Sequence, residues 1–90
     1  MSIKIGIPPY ILQLVNNNKA VTVEGNTVGD CVQALIKRFP KVENVILDKD
    51  GGLLKHIDVY VNGTSIYPED LVKTVKNGDE LYILNIIVGG

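Results

Sequence analysis

Apolar residues repeat at helical spacing over one long segment of this chain: Val28, Cys31, Val32, Leu35, Ile36 and Phe39 form a single stripe, with Gln33, Lys37 and Arg38 facing away. Thr27 and Asp30 form a Thr-x-x-Asp variant of the capping box, so a helix begins at Thr27. Pro40 ends it, with cationic side chains in the last turn where the helix dipole favours them. The stripe needs a sheet to cover it, and the rest of the chain supplies strands.

Ile3, Ile5 and Ile7 alternate with Ser2, Lys4 and Gly6 at the period of a strand with one buried face, and Pro8-Pro9 stops it because proline cannot donate to a ladder. Tyr10 to Val15 is apolar but too short to classify. Asn16-Asn17-Asn18-Lys19 is a turn, and Ala20 to Glu24 completes a hairpin with the first strand. After the helix, Lys41 to Leu47 has room for a short helical turn, and Asp48-Lys49-Asp50-Gly51-Gly52 reads as a loop. Ile57, Val59 and Val61 alternate with Asp58 and Tyr60 up to Asn62-Gly63, a strong hairpin signal, which predicts Thr64 to Tyr67 as a short partner strand. Pro68-Glu69-Asp70 can open one helical turn, and Asn77-Gly78-Asp79 turns the chain into a last strand, Glu80 to Asn85.

The order strand, strand, helix, strand, short strand, strand predicts an α+β domain of the β-grasp (ubiquitin-like) class, a mixed sheet of four to five strands with one main helix on one face. The expected organisation is a β-grasp domain over residues 1–85 and a flexible tail over 86–90. If the last strand runs beside the first, Leu81 and Ile83 point inward with Ile57, Val59 and Val61. Tyr60, Tyr82 and Leu84 then lie on the face opposite the helix. Either they form a partner surface, or a segment such as Tyr10 to Val15 covers them.

Composition narrows the function. Nine basic against ten acidic residues give a net charge of −1, with no excess of positive charge to hold a phosphate backbone, so nucleic acid is not an expected partner. No stretch approaches the roughly 20 apolar residues that span a bilayer, and no membrane association is expected. A single cysteine, Cys31, fits a reducing cytoplasmic setting, and on the helix stripe it reads as a small hydrophobe. His56 has no partner His or Cys nearby in sequence, and Asp48, Asp50 and Asp58 lack the spacing of a calcium loop. Gly51-Gly52 is not a phosphate loop. No metal site, bound cofactor or catalytic constellation is expected, so the chain does not read as an enzyme.

The remaining feature is Ile86-Ile87-Val88-Gly89-Gly90. Five residues reach at most about 17 Å, enough to enter another protein's active site, and glycines lack the Cβ that would block a narrow channel. A carboxylate is a poor electrophile. Joined to AMP it gains a good leaving group, and a sulfur nucleophile then yields a thiocarboxylate. Such a carrier contributes an accessible terminus and no catalytic group of its own.

Asn77-Gly78-Asp79-Glu80-Leu81-Tyr82-Ile83-Leu84, followed by the apolar tail and Gly89-Gly90, resembles the C-terminal signature of the MoaD/ThiS family of ubiquitin-like sulfur carriers. The similarity extends over essentially the whole chain. The Ile7-Pro8-Pro9 start, the loop through Gly51-Gly52-Leu53 and the Val59-Tyr60-Val61-Asn62 strand are most similar to CysO-like members. The resemblance implies adenylation at Gly90 by a ubiquitin-activating-type partner that uses ATP, with sulfur attached there as a thiocarboxylate. It carries over to Gly89 as well, the residue assigned to channel passage, while the sheet face and the tail assign partner contacts to Tyr60, Tyr82, Leu84, Ile86, Ile87 and Val88. The implied acceptor is a cysteine synthase or the large subunit of molybdopterin synthase, serving cysteine or molybdopterin biosynthesis. Many relatives have proline at the position of Asn85 and a small residue at that of Val88, so the tail here is bulkier. Two other readings share these features: a protein modifier that forms isopeptide bonds through Gly90, and a non-conjugating interaction domain that uses only the Tyr60, Tyr82 and Leu84 face.

Overall fold

The computed structural model describes residues 1–86. Strands β1 (Ser2–Gly6) and β2 (Ala20–Glu24) form an antiparallel hairpin, with Ile3 opposite Val23 and Ile5 opposite Val21. Their connection holds a 3-10 turn over Pro9–Val15, the segment the sequence leaves unclassified. It sinks Ile11 and Val15 into the core and packs beside a second 3-10 turn at Pro40–Val42. It therefore lies on the helix side and leaves Tyr60, Tyr82 and Leu84 uncovered.

Helix α1 (Val28–Arg38) starts as its cap predicts: the Asp30 amide donates to Thr27 Oγ1 at 3.0 Å. The Asp30 carboxylate accepts from Asn26 rather than from Thr27, at 3.1 Å, so the box closes one residue further out. Val28, Cys31, Val32, Leu35 and Ile36 are buried, whereas Phe39 becomes the half-buried C-cap. After α1 come the short helix α2 (Glu43–Ile46) and strands β3 (Ile57–Val61), β4 (Thr64–Ser65) and β5 (Glu80–Asn85). β4 is two residues shorter than the sequence predicts, because the Tyr67 amide turns back to Ser65 Oγ and leaves the ladder. The helical turn expected from Pro68 forms at Asp70–Val72.

The five strands are ordered β2-β1-β5-β3-β4. β5 is central, parallel to β1 and antiparallel to β3. One buried cluster joins Ile3 and Ile5 of β1, Val59 of β3, and Leu81 and Ile83 of β5 to the apolar stripe of α1. Among the described residues no polar or charged side chain is buried.

Candidate functional site

The site is the sheet face that α1 does not cover. Strand periodicity puts residues of opposite parity there: Lys4 and Gly6 from β1, Glu80, Tyr82 and Leu84 from β5, Asp58 and Tyr60 from β3. Tyr60 stands directly opposite Tyr82 and Asp58 opposite Leu84 in the β3–β5 ladder, while Gly6 pairs with Tyr82 across the parallel β1–β5 ladder. The sequence-predicted trio is thus brought together on one face. Tyr82 is 41% exposed, and Tyr60 and Leu84 are half-buried.

Gly6 completes this face. A Cβ built there would lie 2.5 Å from Tyr82 Cδ2 and 2.9 Å from Cε2, so one edge of the ring occupies the space a side chain would need. A hollow of ≈ 380 Å³ follows, lined by Gly6, Tyr60 and Tyr82 together with the polar Lys4, Asn62 and Glu80. Gly6 has no local signature of this role, because its partnership with Tyr82 arises only from the register of two strands more than seventy residues apart.

That register is pinned where β5 begins. Asn62 and Gly63 take the positive φ angles, 50° and 86°, of the hairpin their sequence predicts. The Asn62 side chain then reaches across: Oδ1 accepts from the Glu80 amide at 2.9 Å and Nδ2 donates to Asp79 Oδ1 at 2.9 Å. Asp79 Oδ2 accepts from the Lys76 amide at 2.8 Å. That backbone bond, then the Asn62 bond, holds the Asp79 carboxyl below its ordinary range.

At the other end of β5 the ladder runs one residue past the strand, with the Ile86 amide donating to the His56 carbonyl at 2.6 Å. Ile86 is 42% exposed. It lines a groove of ≈ 400 Å³ with Leu53, Leu54, Ile57 and Tyr67. Sequence reasoning named Ile86 but missed Leu53, Leu54 and Tyr67, which converge from separate loops. The other assigned positions, Ile87, Val88, Gly89 and Gly90, lie outside the described residues.

The remaining candidates take structural places. Cys31 is fully buried, and that burial, with Asp30 beside it, pushes its thiol up to about 11. Asp48 Oδ1 accepts from the Asp50 and Gly52 amides, as turn chemistry requires, while Asp58 stands apart on β3 with Ser65. Among the described residues no three His, Cys, Asp or Glu side chains gather as metal ligands, and no helix is long and apolar enough to cross a membrane.

Comparison with known proteins places this geometry in context. Residues 11–90 match the ThiS family. A protein of Archaeoglobus fulgidus assigned as a sulfur carrier is 33% identical over 91 residues, end to end on both chains. Small archaeal modifier protein 1 of Haloferax volcanii is 37% identical over 71 residues, 78% of each chain. Among solved structures, a chain of the Amycolatopsis orientalis BexX/CysO complex superposes with a TM-score of 0.88 at 27% identity, covering 98% of this chain and 99% of that one.

Proposed function

This chain belongs to the ThiS family of ubiquitin-like sulfur carriers and small modifiers, and from that premise we propose that it carries sulfur as a thiocarboxylate on Gly90. The observation that carries the proposal is the placement of β5. A central strand, hydrogen-bonded on both sides, presents Tyr82 and Leu84 on the open face and delivers the chain at Ile86 to the edge of that face. Four residues follow Ile86 in sequence, a reach of at most about 14 Å. The body can dock by its tyrosine face while Gly89-Gly90 enters a partner's active site.

In the proposed cycle an activating enzyme joins the Gly90 carboxylate to AMP and releases pyrophosphate from ATP. A sulfide-level nucleophile then attacks the acyl carbon, AMP leaves with the electron pair of the broken C–O bond, and a thiocarboxylate remains. The enzyme supplies the nucleotide site and the acid-base groups. This chain supplies the docking face and the terminus. The acceptor is a biosynthetic enzyme of the cysteine synthase or molybdopterin synthase class, consistent with relatives assigned as sulfur carriers.

Intact-protein mass spectrometry after incubation with an activating enzyme, ATP and sulfide should show one oxygen replaced by sulfur, and deletion of Gly89-Gly90 should abolish the change. Unchanged mass with every activating enzyme of the host would sink the proposal. The identity to small archaeal modifier protein 1 favours one second reading, isopeptide bond formation by the same activated carboxylate. Higher-mass adducts in cell lysate that survive thiol treatment would select it.

A further inference from the structure

Where β5 gives out, the molecule has an apolar groove that the tyrosine face does not account for. Three segments distant in sequence build it. The Leu53–Lys55 loop is tied down by the Leu47–Leu53 bridge, by the Leu54 amide donating to the Ile46 carbonyl at 2.9 Å, and by the Ile57 amide donating to the Leu54 carbonyl at 2.9 Å. Tyr67 follows β4 and is held through its amide on Ser65 Oγ at 3.1 Å. Ile86 is held by His56. The backbone is anchored, yet Tyr67 is 77% exposed, and its ring contributes little to the core. A large aromatic on a fixed backbone beside an apolar groove has the character of an interface anchor.

Charge adds a second property. Asp58 and Asp70 also line the groove, against one cation, Lys55. Among the described residues the ion pairs are Met1–Glu24 and Lys73–Glu69, so neither groove carboxylate is neutralised by a salt bridge. Asp58 stands cross-strand from Leu84, which makes the groove continuous with the tyrosine face.

On the carrier reading, the enzyme that receives Gly90 has to come close to this groove. An enzyme that receives Gly90 in a recessed active site has to bring the mouth of that recess within about 14 Å of Ile86, and each ångström of depth brings it closer. Leu54 and Tyr67 line the same groove as Ile86 and so fall within that reach. We infer that the groove is a second docking site, occupied by an apolar side chain flanked by a cation on the rim of the activating enzyme's tail channel, and that it sets the direction in which the tail enters. The inference rests on the carrier reading. The two surfaces divide the work: the tyrosine face holds the partner, and the groove aims the terminus.

The test measures initial rates of thiocarboxylate formation by intact mass across a range of carrier concentrations, using the full chain, its activating enzyme, ATP and sulfide. Tyr67→Ala should raise the half-saturating carrier concentration roughly five- to tenfold with the maximal rate little changed. Tyr67→Lys should raise it further, because it sets a cation against the cationic rim. Asp70→Asn, at a positive φ of 55° that asparagine tolerates, should raise it by a smaller factor that shrinks as salt is added. Inserting two glycines after Ile86 should make the rate indifferent to Tyr67, since a longer tail no longer forces the rim onto the groove. If all three substitutions load sulfur at the wild-type half-saturation, the groove is not a docking site. If wild type itself gains no sulfur, the carrier reading fails first and this inference goes with it.

Discussion

Two faces of one strand differ completely in this molecule. On the helix side of β5, Leu81 and Ile83 are 2% and 1% exposed and meet the stripe of α1. On the opposite side, residues one step along the same backbone leave Tyr82 41% exposed and Leu84 half-buried. Identical backbone pairing serves both, so the contrast lies in what covers each face. The covered face holds the fold together, and the open face leaves apolar surface exposed. If the chain hands its C-terminus to enzymes as proposed, it keeps its stability and its recognition on one strand, because alternation separates them residue by residue.

The largest effect that would break this contrast is on stability. Ile83→Ala should cost about 2–5 kcal/mol by urea unfolding, as buried truncations do. Tyr82→Ala should cost about 1 kcal/mol, the scale of a cross-strand aromatic pair. Equal costs would mean that the open face is core and that the docking assignment is wrong. Next comes Gly6→Ala. The new methyl would sit 2.5 Å from Tyr82 Cδ2. The ring, being partly exposed, can swing aside, which puts the cost at the low end of overpacking, about 1 kcal/mol. Near-UV circular dichroism should register the displaced tyrosine. An unchanged spectrum and stability would show that the ring does not rest on Gly6.

The covered face was the more legible one in the sequence. Val28, Val32 and Leu35, and the alternation of Ile57, Val59 and Val61, state their burial through local periodicity, and the Asn62-Gly63 turn fixes its own hairpin. Tyr60, Tyr82 and Leu84 followed by parity once β5 was set beside β1. Less was readable where contacts join distant segments. Pro9–Val15 is a 3-10 turn of seven residues, too short for its apolar spacing to decide between helix and strand. Gly6 beneath Tyr82 depends on a parallel register, and Tyr67 meets Ile86 through loops whose course no local propensity dictates.

A one-residue slip of β5 would exchange its two faces, so the contrast depends on whatever fixes the register. Asp79 is central to that lock, and its carboxyl is held low by the Lys76 amide and the Asn62 side chain. A depressed folded value means that the charged form adds stability above the ordinary aspartate value of 3.8, and that this contribution is lost as the pH falls through the folded value. Asp79→Asn should therefore be less stable than wild type at neutral pH, with the difference narrowing below pH 3.8. Urea midpoints compared at neutral and strongly acidic pH would check this. A difference that stays constant with pH would assign the lock to Asn62 and the turn backbone alone.

The smallest expected effect concerns the single cysteine. Cys31 belongs to the covered side, fully buried, with a thiol raised to about 11 by burial and by Asp30. A thiol that stays protonated and sealed near neutral pH is a poor nucleophile. It should neither capture the activated Gly90 acyl group as an internal thioester nor compete for alkylating reagents. Cys31→Ala should therefore leave the yield of thiocarboxylate unchanged, although it removes a buried sulfur and lowers the urea midpoint. Iodoacetamide should label the sulfur-loaded native chain at the tail alone and reach Cys31 only after unfolding. Labelling of Cys31 in the native protein, or a yield that falls with Cys31→Ala, would mean that the covered face takes part in sulfur chemistry and that the division between the two faces is incomplete.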